Sequence, residues 1–172
     1  MTTTQSMTAA AICAPANALL GLAEALLAGV DADKARCKPE GVDAVHPVFI
    51  FGHLAIYPDM VLGAIGRSDL VHPKSEQWGE HFMHGKECKS GCDCYPPLDE
   101  VVAFWKDRYE TVIKAIGETD DSVFANECPI EGLRSRCATV GELCNFMVVF
   151  HTSFHFGQLS TWRRCFGLGP AM

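Results

Sequence analysis

Apolar positions in this chain recur every three to four residues in four long runs, and strict alternation is scarce. From about Thr8 to Gly29, Leu19, Leu20, Ala23, Leu26 and Leu27 form one stripe, the spacing of a single helix face. Gly29 is a stop signal. A second run, about Pro47 to Gly66, places Val48, Phe49, His53, Ile56, Met60 and Ala64 on one side. Pro47 suits a first helical turn, whereas Pro58 removes the bond to the Leu54 carbonyl and predicts a kink one turn beyond His53. The third run, about Leu98 to Ile116, repeats Val101, Val102, Trp105, Tyr109, Val112 and Ile113 between Pro96-Pro97 and Gly117. The fourth, about Thr139 to Phe166, opens on Thr139 as N-cap with Glu142 three residues later, a capping box. Its predicted inward stripe is Leu143, Cys144, Met147, His151, His155, Gln158 or Leu159, and Trp162. Few β-branched runs alternate, and no Asn-Gly or Asp-Gly hairpin signal occurs. Four amphipathic helices without strands predict an all-α four-helix bundle. The connections Arg67 to Pro97 and Glu118 to Ala138 are long, and such loops in a compact domain carry function or short structure of their own.

Composition narrows this picture without changing it. The 172 residues suffice for one domain with a real core, here 1–172 with a Cys/His-rich insertion at about 67–97. Apolar residues make up 48% and charged residues 20%, a balance that buries a core rather than leaving the chain unfolded. The net charge is −7, and no basic stretch is long enough to follow a phosphate backbone, so nucleic acid is not an expected partner. The apolar stretch from Ala9 onward precedes the first basic residue, Lys34, and is interrupted by Pro15, Asn17 and Glu24. It lacks the positive n-region of a secretory signal and reads poorly as a membrane span. Val42 to Gly66 carries Asp43, His46, His53 and Asp59 and reads as a buried helix. The expectation is a cytoplasmic protein with no membrane partner. Nine cysteines, odd in number and irregularly spaced, argue against a disulfide framework, and most read as reduced thiols.

The candidate chemistry lies in His151-Thr152-Ser153-Phe154-His155. Imidazoles four residues apart stack on one helix face at a spacing that holds one divalent ion. Burying both without partners costs several kcal/mol, which a shared ion removes by taking a lone pair from each ring. No Glu follows His151, so the zinc-protease signature and its general base are missing. His53, in the second apolar run, is a third candidate ligand.

His151-Thr-Ser-Phe-His155-Phe-Gly-Gln158-Leu159-Ser-Thr-Trp162, followed by Gly167-Leu168-Gly169-Pro170, resembles the last helix of the DinB-like (YfiT-like) metalloprotein superfamily. Phe51-Gly52-His53-Leu54-Ala55 is similar to that family's second-helix motif. The resemblance implies an up-down-down-up bundle, often a homodimer, with one divalent metal ion (zinc, nickel or iron) held by His53, His151 and His155. It further implies a small-molecule substrate and a low-molecular-weight thiol, in S-transferase or thiol-dependent isomerase chemistry. Three neutral ligands leave open positions and the full charge of the ion, conditions that lower the pKa of a bound water or thiol. Gln158, one turn beyond His155, is placed to orient a ligand or a histidine, or else packs as an amide. Tyr57 and Asp59, past His53, are within reach of a site at the bundle mouth, Asp59 reading equally as a solvated charge.

The first long connection departs from the family. His81-Phe-Met-His84-Gly-Lys-Glu-Cys88-Lys-Ser-Gly-Cys92-Asp-Cys94 has neither zinc-ribbon spacing nor that of the radical-generating iron–sulfur motif. Three readings stay open: a second, structural zinc held by His84, Cys88, Cys92 and Cys94; a redox or substrate-handling thiol cluster; or reduced cysteines with no joint role. Cys144 reads as core packing. His46 is placed to cap the second run, His72 reads as a loop residue, and Arg163-Arg164 suit a helix dipole or a substrate carboxylate. Against the metal-dependent enzyme stands a metal- or redox-sensing protein built on the cysteine loop, without turnover.

Overall fold

The computed structural model describes residues 6–171, so the outermost residues of the expected 1–172 domain lie outside the described residues. The chain is all-α: α1 Met7–Leu27, α2 Pro47–Ile56, α3 Pro58–Ala64, α4 Pro73–Phe82, α5 Leu98–Gly117, α6 Asp121–Phe124, α7 Val140–Cys144 and α8 Thr152–Cys165, with a π-helical stretch Asn145–His151 between the last two. Among the described residues the only β-pairing is an isolated antiparallel bridge between Glu127 and Thr139.

The helices start where the sequence supplies caps. Ser6 Oγ accepts from Ala9 N at 2.9 Å, and Thr139 Oγ1 accepts from Glu142 N at 3.2 Å. Glu142 reaches back one residue further than a standard capping box, to the Ala138 N–H at 2.6 Å. His46, fully buried, caps α2 by accepting from Phe49 N at 3.1 Å. His72 does the same for α4 by accepting from Lys74 N at 3.1 Å, so it is a cap rather than a plain loop residue.

Two predicted runs are subdivided. Pro58 does more than kink the second run. Tyr57 ends α2 and caps α3, and Pro58 is the first residue of the new helix, the position where its missing N–H leaves nothing unpaired. The fourth run carries the π-helical stretch in its middle. The extra residue per turn rotates everything after it, so the buried face of α8 is Thr152, Phe156, Leu159, Trp162 and Arg163. His151 and His155, predicted on the inward stripe, stand half-buried at its edge.

All ten residues of α2 are buried. This helix packs against α5, α4 and α8, while α1 packs against α5 and α8. The runs Met7–Leu27 and Pro47–Ala64 are apolar and long enough to cross a membrane by length and composition alone, yet 78% of the second is buried within the fold. Two buried cations fasten the core. Arg108 pairs with Asp59 at 3.2 Å and donates to the Leu70 carbonyl at 2.7 Å. Arg163 donates to the Leu26 and Ala28 carbonyls at 2.7 Å each, closing the C-terminus of α1. Arg163 is therefore not available to a substrate carboxylate.

Candidate metal centre

His53 comes from α2, and His151 and His155 from the junction of the π-helical stretch with α8. His53 Nε2 lies 3.0 Å from His151 Nε2, and His155 Nε2 lies 3.1 Å from that same atom. Among the described residues these three form the one group of His, Cys, Asp or Glu side chains close enough to share an ion. Two nitrogens each about 2.0–2.1 Å from one ion stand about 2.9–3.4 Å apart for angles from octahedral to tetrahedral. The two spacings to His151 Nε2 fit that range, and all three donor atoms lie within 4.8 Å of one another.

The outer nitrogens fix the tautomers. His53 Nδ1 donates to the Phe82 carbonyl at 2.6 Å, because a carbonyl only accepts. His155 Nδ1 donates to Gln158 Oε1 at 2.7 Å. Both Nε2 atoms are therefore bare lone pairs aimed at His151 Nε2. A proton on His151 Nε2 satisfies at most one of them well, whereas a cation satisfies all three. Burial pulls His53 down to about 4 and His151 down to about 3, and it lowers His155 as well. At neutral pH the three rings are uncharged, the state in which imidazole binds metal. His151 Nδ1 is buried and has no hydrogen-bond partner among the described residues; its ring instead meets the Tyr57 ring edge-on, centroids 4.9 Å apart.

Backbone features hold these rings. A Cβ at Gly52 would stand 2.3–2.5 Å from ring atoms of Phe82, so only glycine lets α2 approach the end of α4 closely enough for His53 to reach the Phe82 carbonyl. In the π-helical stretch, the Val148 carbonyl accepts from the buried Tyr109 hydroxyl at 2.6 Å, a side support for the altered register.

The triad opens into a cavity of about 700 Å³. Its walls are largely apolar, with Phe49, Met60, Ile130, Phe146, Met147 and Phe154 prominent. His84, Lys86 and Arg136 stand at its exposed edge.

Gln158 is bonded to His155, and Tyr57 lies edge-on to His53 and His151. Asp59 does not face the triad. It is buried, paired with Arg108, and accepts from the His72 N–H at 3.0 Å. Of the three readings of the cysteine loop, a second metal set of His84, Cys88, Cys92 and Cys94 is not brought together among the described residues. Cys92 and Cys94 are bonded to each other as a disulfide, Cys88 is buried with its thiol pushed up by burial, and His84 lines the triad's cavity. The reading of these loop cysteines as reduced thus fails for Cys92 and Cys94, while the other seven cysteines are free. The cysteine-bearing part of the loop docks on residues 36–38, through Gly91 N to the Arg36 carbonyl at 2.7 Å and Lys38 N to Ser90 Oγ at 2.9 Å. Cys144 is core, its thiol pushed up to about 12 by burial. The residues not anticipated are Phe82, which acts through its backbone, and the pair Lys86 and Arg136. A carbonyl acceptor leaves no mark in a sequence, and isolated loop cations carry no motif that sets them apart from solvated charges.

Comparison with family models, with curated proteins and with solved structures returned no match. The functional reading therefore rests on the site's own geometry and on the motif resemblance.

Proposed function

We propose that this chain is a DinB-like metal-dependent protein that holds one divalent ion, zinc, nickel or iron, through His53, His151 and His155. In this reading α1, α2–α3, α5 and α7–α8 are the rods of an up-down-down-up bundle. The observation that carries the proposal is the convergence of three imidazole nitrogens, two of them bared by hydrogen bonds on the far side of their rings. When bound, an ion with three neutral ligands supplies a Lewis acid with open positions, able to lower the pKa of a bound water or thiol.

The protein's own groups would do the rest. Phe82 and Gln158 orient His53 and His155 and raise their basicity as ligands. The Tyr57 ring closes the side of the triad, and its hydroxyl accepts from the His84 N–H at 3.0 Å, tying the first long loop to the cavity wall. The apolar walls exclude water from the reacting groups and strengthen electrostatic interactions there. The chemistry we assign is attack of a low-molecular-weight thiol on an electrophilic small molecule, of the S-transferase or thiol-dependent isomerase type. The motif resemblance supports that assignment and a homodimer, and the cytoplasmic setting rests on the apolar stretch from Ala9, whose composition is unlike that of a secretory signal.

Protein purified without chelator is expected to carry about one equivalent of divalent metal, lost in His151→Ala. The metal-loaded protein is expected to consume a low-molecular-weight thiol in the presence of monochlorobimane. Absence of metal would end the metal reading, and absence of turnover across a panel of thiols and electrophiles would end the enzymatic one.

A further inference from the structure

We infer that the cavity above the three histidines takes an anionic small molecule with an apolar body, its carboxylate or phosphate-like head recognised by Lys86 and Arg136. The inference rests on the metal reading for where that molecule reacts, and on the cavity edge for how it is selected.

The chain carries 21 acidic and 14 basic residues, so an average surface depression would show a carboxylate. This cavity has none among its described lining residues and has two cations instead. They come from different connections, Lys86 from the one between α4 and α5 and Arg136 from the one between α6 and α7. Neither forms an ion pair with a described residue, whereas Arg36, Lys38, Arg67, Lys74, Arg108 and Arg134 all do. Two cations without an ion-pair partner among the described residues, beside a neutral triad able to take a divalent ion, give this cavity a positive lining, with Glu80 and Glu87 on the far side of Lys86 in a separate depression.

Both edges are built rather than loose. Lys86 N donates to the Met83 carbonyl at 3.0 Å, closing a turn in which Gly85 has φ +84°. The neighbouring His84 N–H is held by Tyr57. Around Arg136, Cys128 N donates to the Ala138 carbonyl at 2.9 Å, Val140 N to the Asn126 carbonyl at 2.9 Å, and Arg136 N to the Leu133 carbonyl at 2.9 Å. Between edge and triad lie apolar side chains only able to solvate a hydrocarbon or aromatic portion. An anionic head at the edge and an apolar body along the wall would place a reactive centre over the histidines. A guanidinium fork and an ammonium suit both carboxylate and phosphate-like heads.

The test is calorimetric titration of metal-loaded wild type, Lys86→Gln, Arg136→Gln and the double variant with phenylacetate, benzylphosphonate and the neutral isostere phenylacetamide. Metal content is measured in the same samples. Either anion is expected to bind wild type at least about tenfold tighter than the amide, and the tighter of the two names the head group. The double variant is expected to lose roughly tenfold for the anions and nothing for the amide, with metal content unchanged. Equal binding of anion and amide by wild type, or an anion preference that survives in the double variant, would overturn the inference and leave the metal reading standing. Were wild type to hold no metal, the metal reading would fall, and the same titrations on the metal-free cavity would still decide between anion and amide.

Discussion

Gly52→Ala should damage the site through packing alone. The new methyl carbon would stand 2.3–2.5 Å from three atoms of the Phe82 ring, against a comfortable carbon–carbon contact of about 3.5–4.0 Å. The ring must retreat by more than about 1 Å. It has no free space to enter: Phe82 is 0% exposed and packs on Tyr95, Phe49 and Trp78 with ring centroids 5.4–5.9 Å away. Overpacking of a filled core costs about 1–3 kcal/mol, which for a domain of this size lowers Tm by about 2–12 °C. Because the Phe82 carbonyl holds His53 at 2.6 Å, the same displacement slackens a ligand. Loss of such an orienting hydrogen bond costs about 10–100-fold in metal affinity. Gly63→Ala is the control. Gly63 lies in α3 with nothing within 4 Å of the added carbon, so alanine there should stabilise by about 0.5–1 kcal/mol and leave affinity alone. Thermal melts of the metal-free proteins and zinc competition with a chromophoric chelator measure both effects. A Gly52→Ala protein with an unchanged melt and unchanged zinc affinity would refute the reasoning.

Gln158→Leu removes the acceptor of His155 and is expected to weaken metal binding by about 10–100-fold with little change in the melt, as chelator competition will report. Asp59→Ala leaves the Arg108 guanidinium buried without its carboxylate. Denaturant unfolding should show a loss of about 3 kcal/mol, the low end for a broken buried pair, because Leu70, Thr111 and Asp107 still accept from Arg108; metal stoichiometry should not move. Burial pulls His46 down to about 4 from 6.5, so folding opposes its protonation. The metal-free protein should be unaffected by this group above pH ~6.5 and lose stability as the pH falls from there to about 4, where the loss levels off, with about 2 kcal/mol gone at pH 5. In His46→Asn, which keeps a cap but cannot titrate, urea midpoints between pH 7 and 4.5 should fall less steeply; an identical fall would clear His46 of the role.

Local signals carried most of the helical layout. The 3.6-residue period and the caps Thr139 and His46 located the starts of α7 and α2, and Pro58 marked the break between α2 and α3 within one residue. The triad was legible because all three histidines sit in apolar helical runs. What escaped depends on groups distant in sequence. Asp59 reads as a surface charge until Arg108 arrives from α5 beside it, and Arg163 reads as a helix-end cation until the α1 carbonyls reach it. The π-helical stretch Asn145–His151 left no trace in the period, and beyond it the buried face runs through Thr152, Phe156, Leu159 and Trp162, with His151 and His155 half-buried beside it. Cys92 and Cys94, two residues apart, match no zinc spacing, and their bond to each other carries no sequence signature.

Phe82 is the final residue of α4, and its carbonyl is the anchor of His53. Lys86 follows four residues later, at the lip. The backbone group that orients one imidazole and a cation at the cavity edge thus belong to one short turn, so on the proposed reading a guest held at Lys86 would bear on the same stretch of chain that sets the tilt of His53.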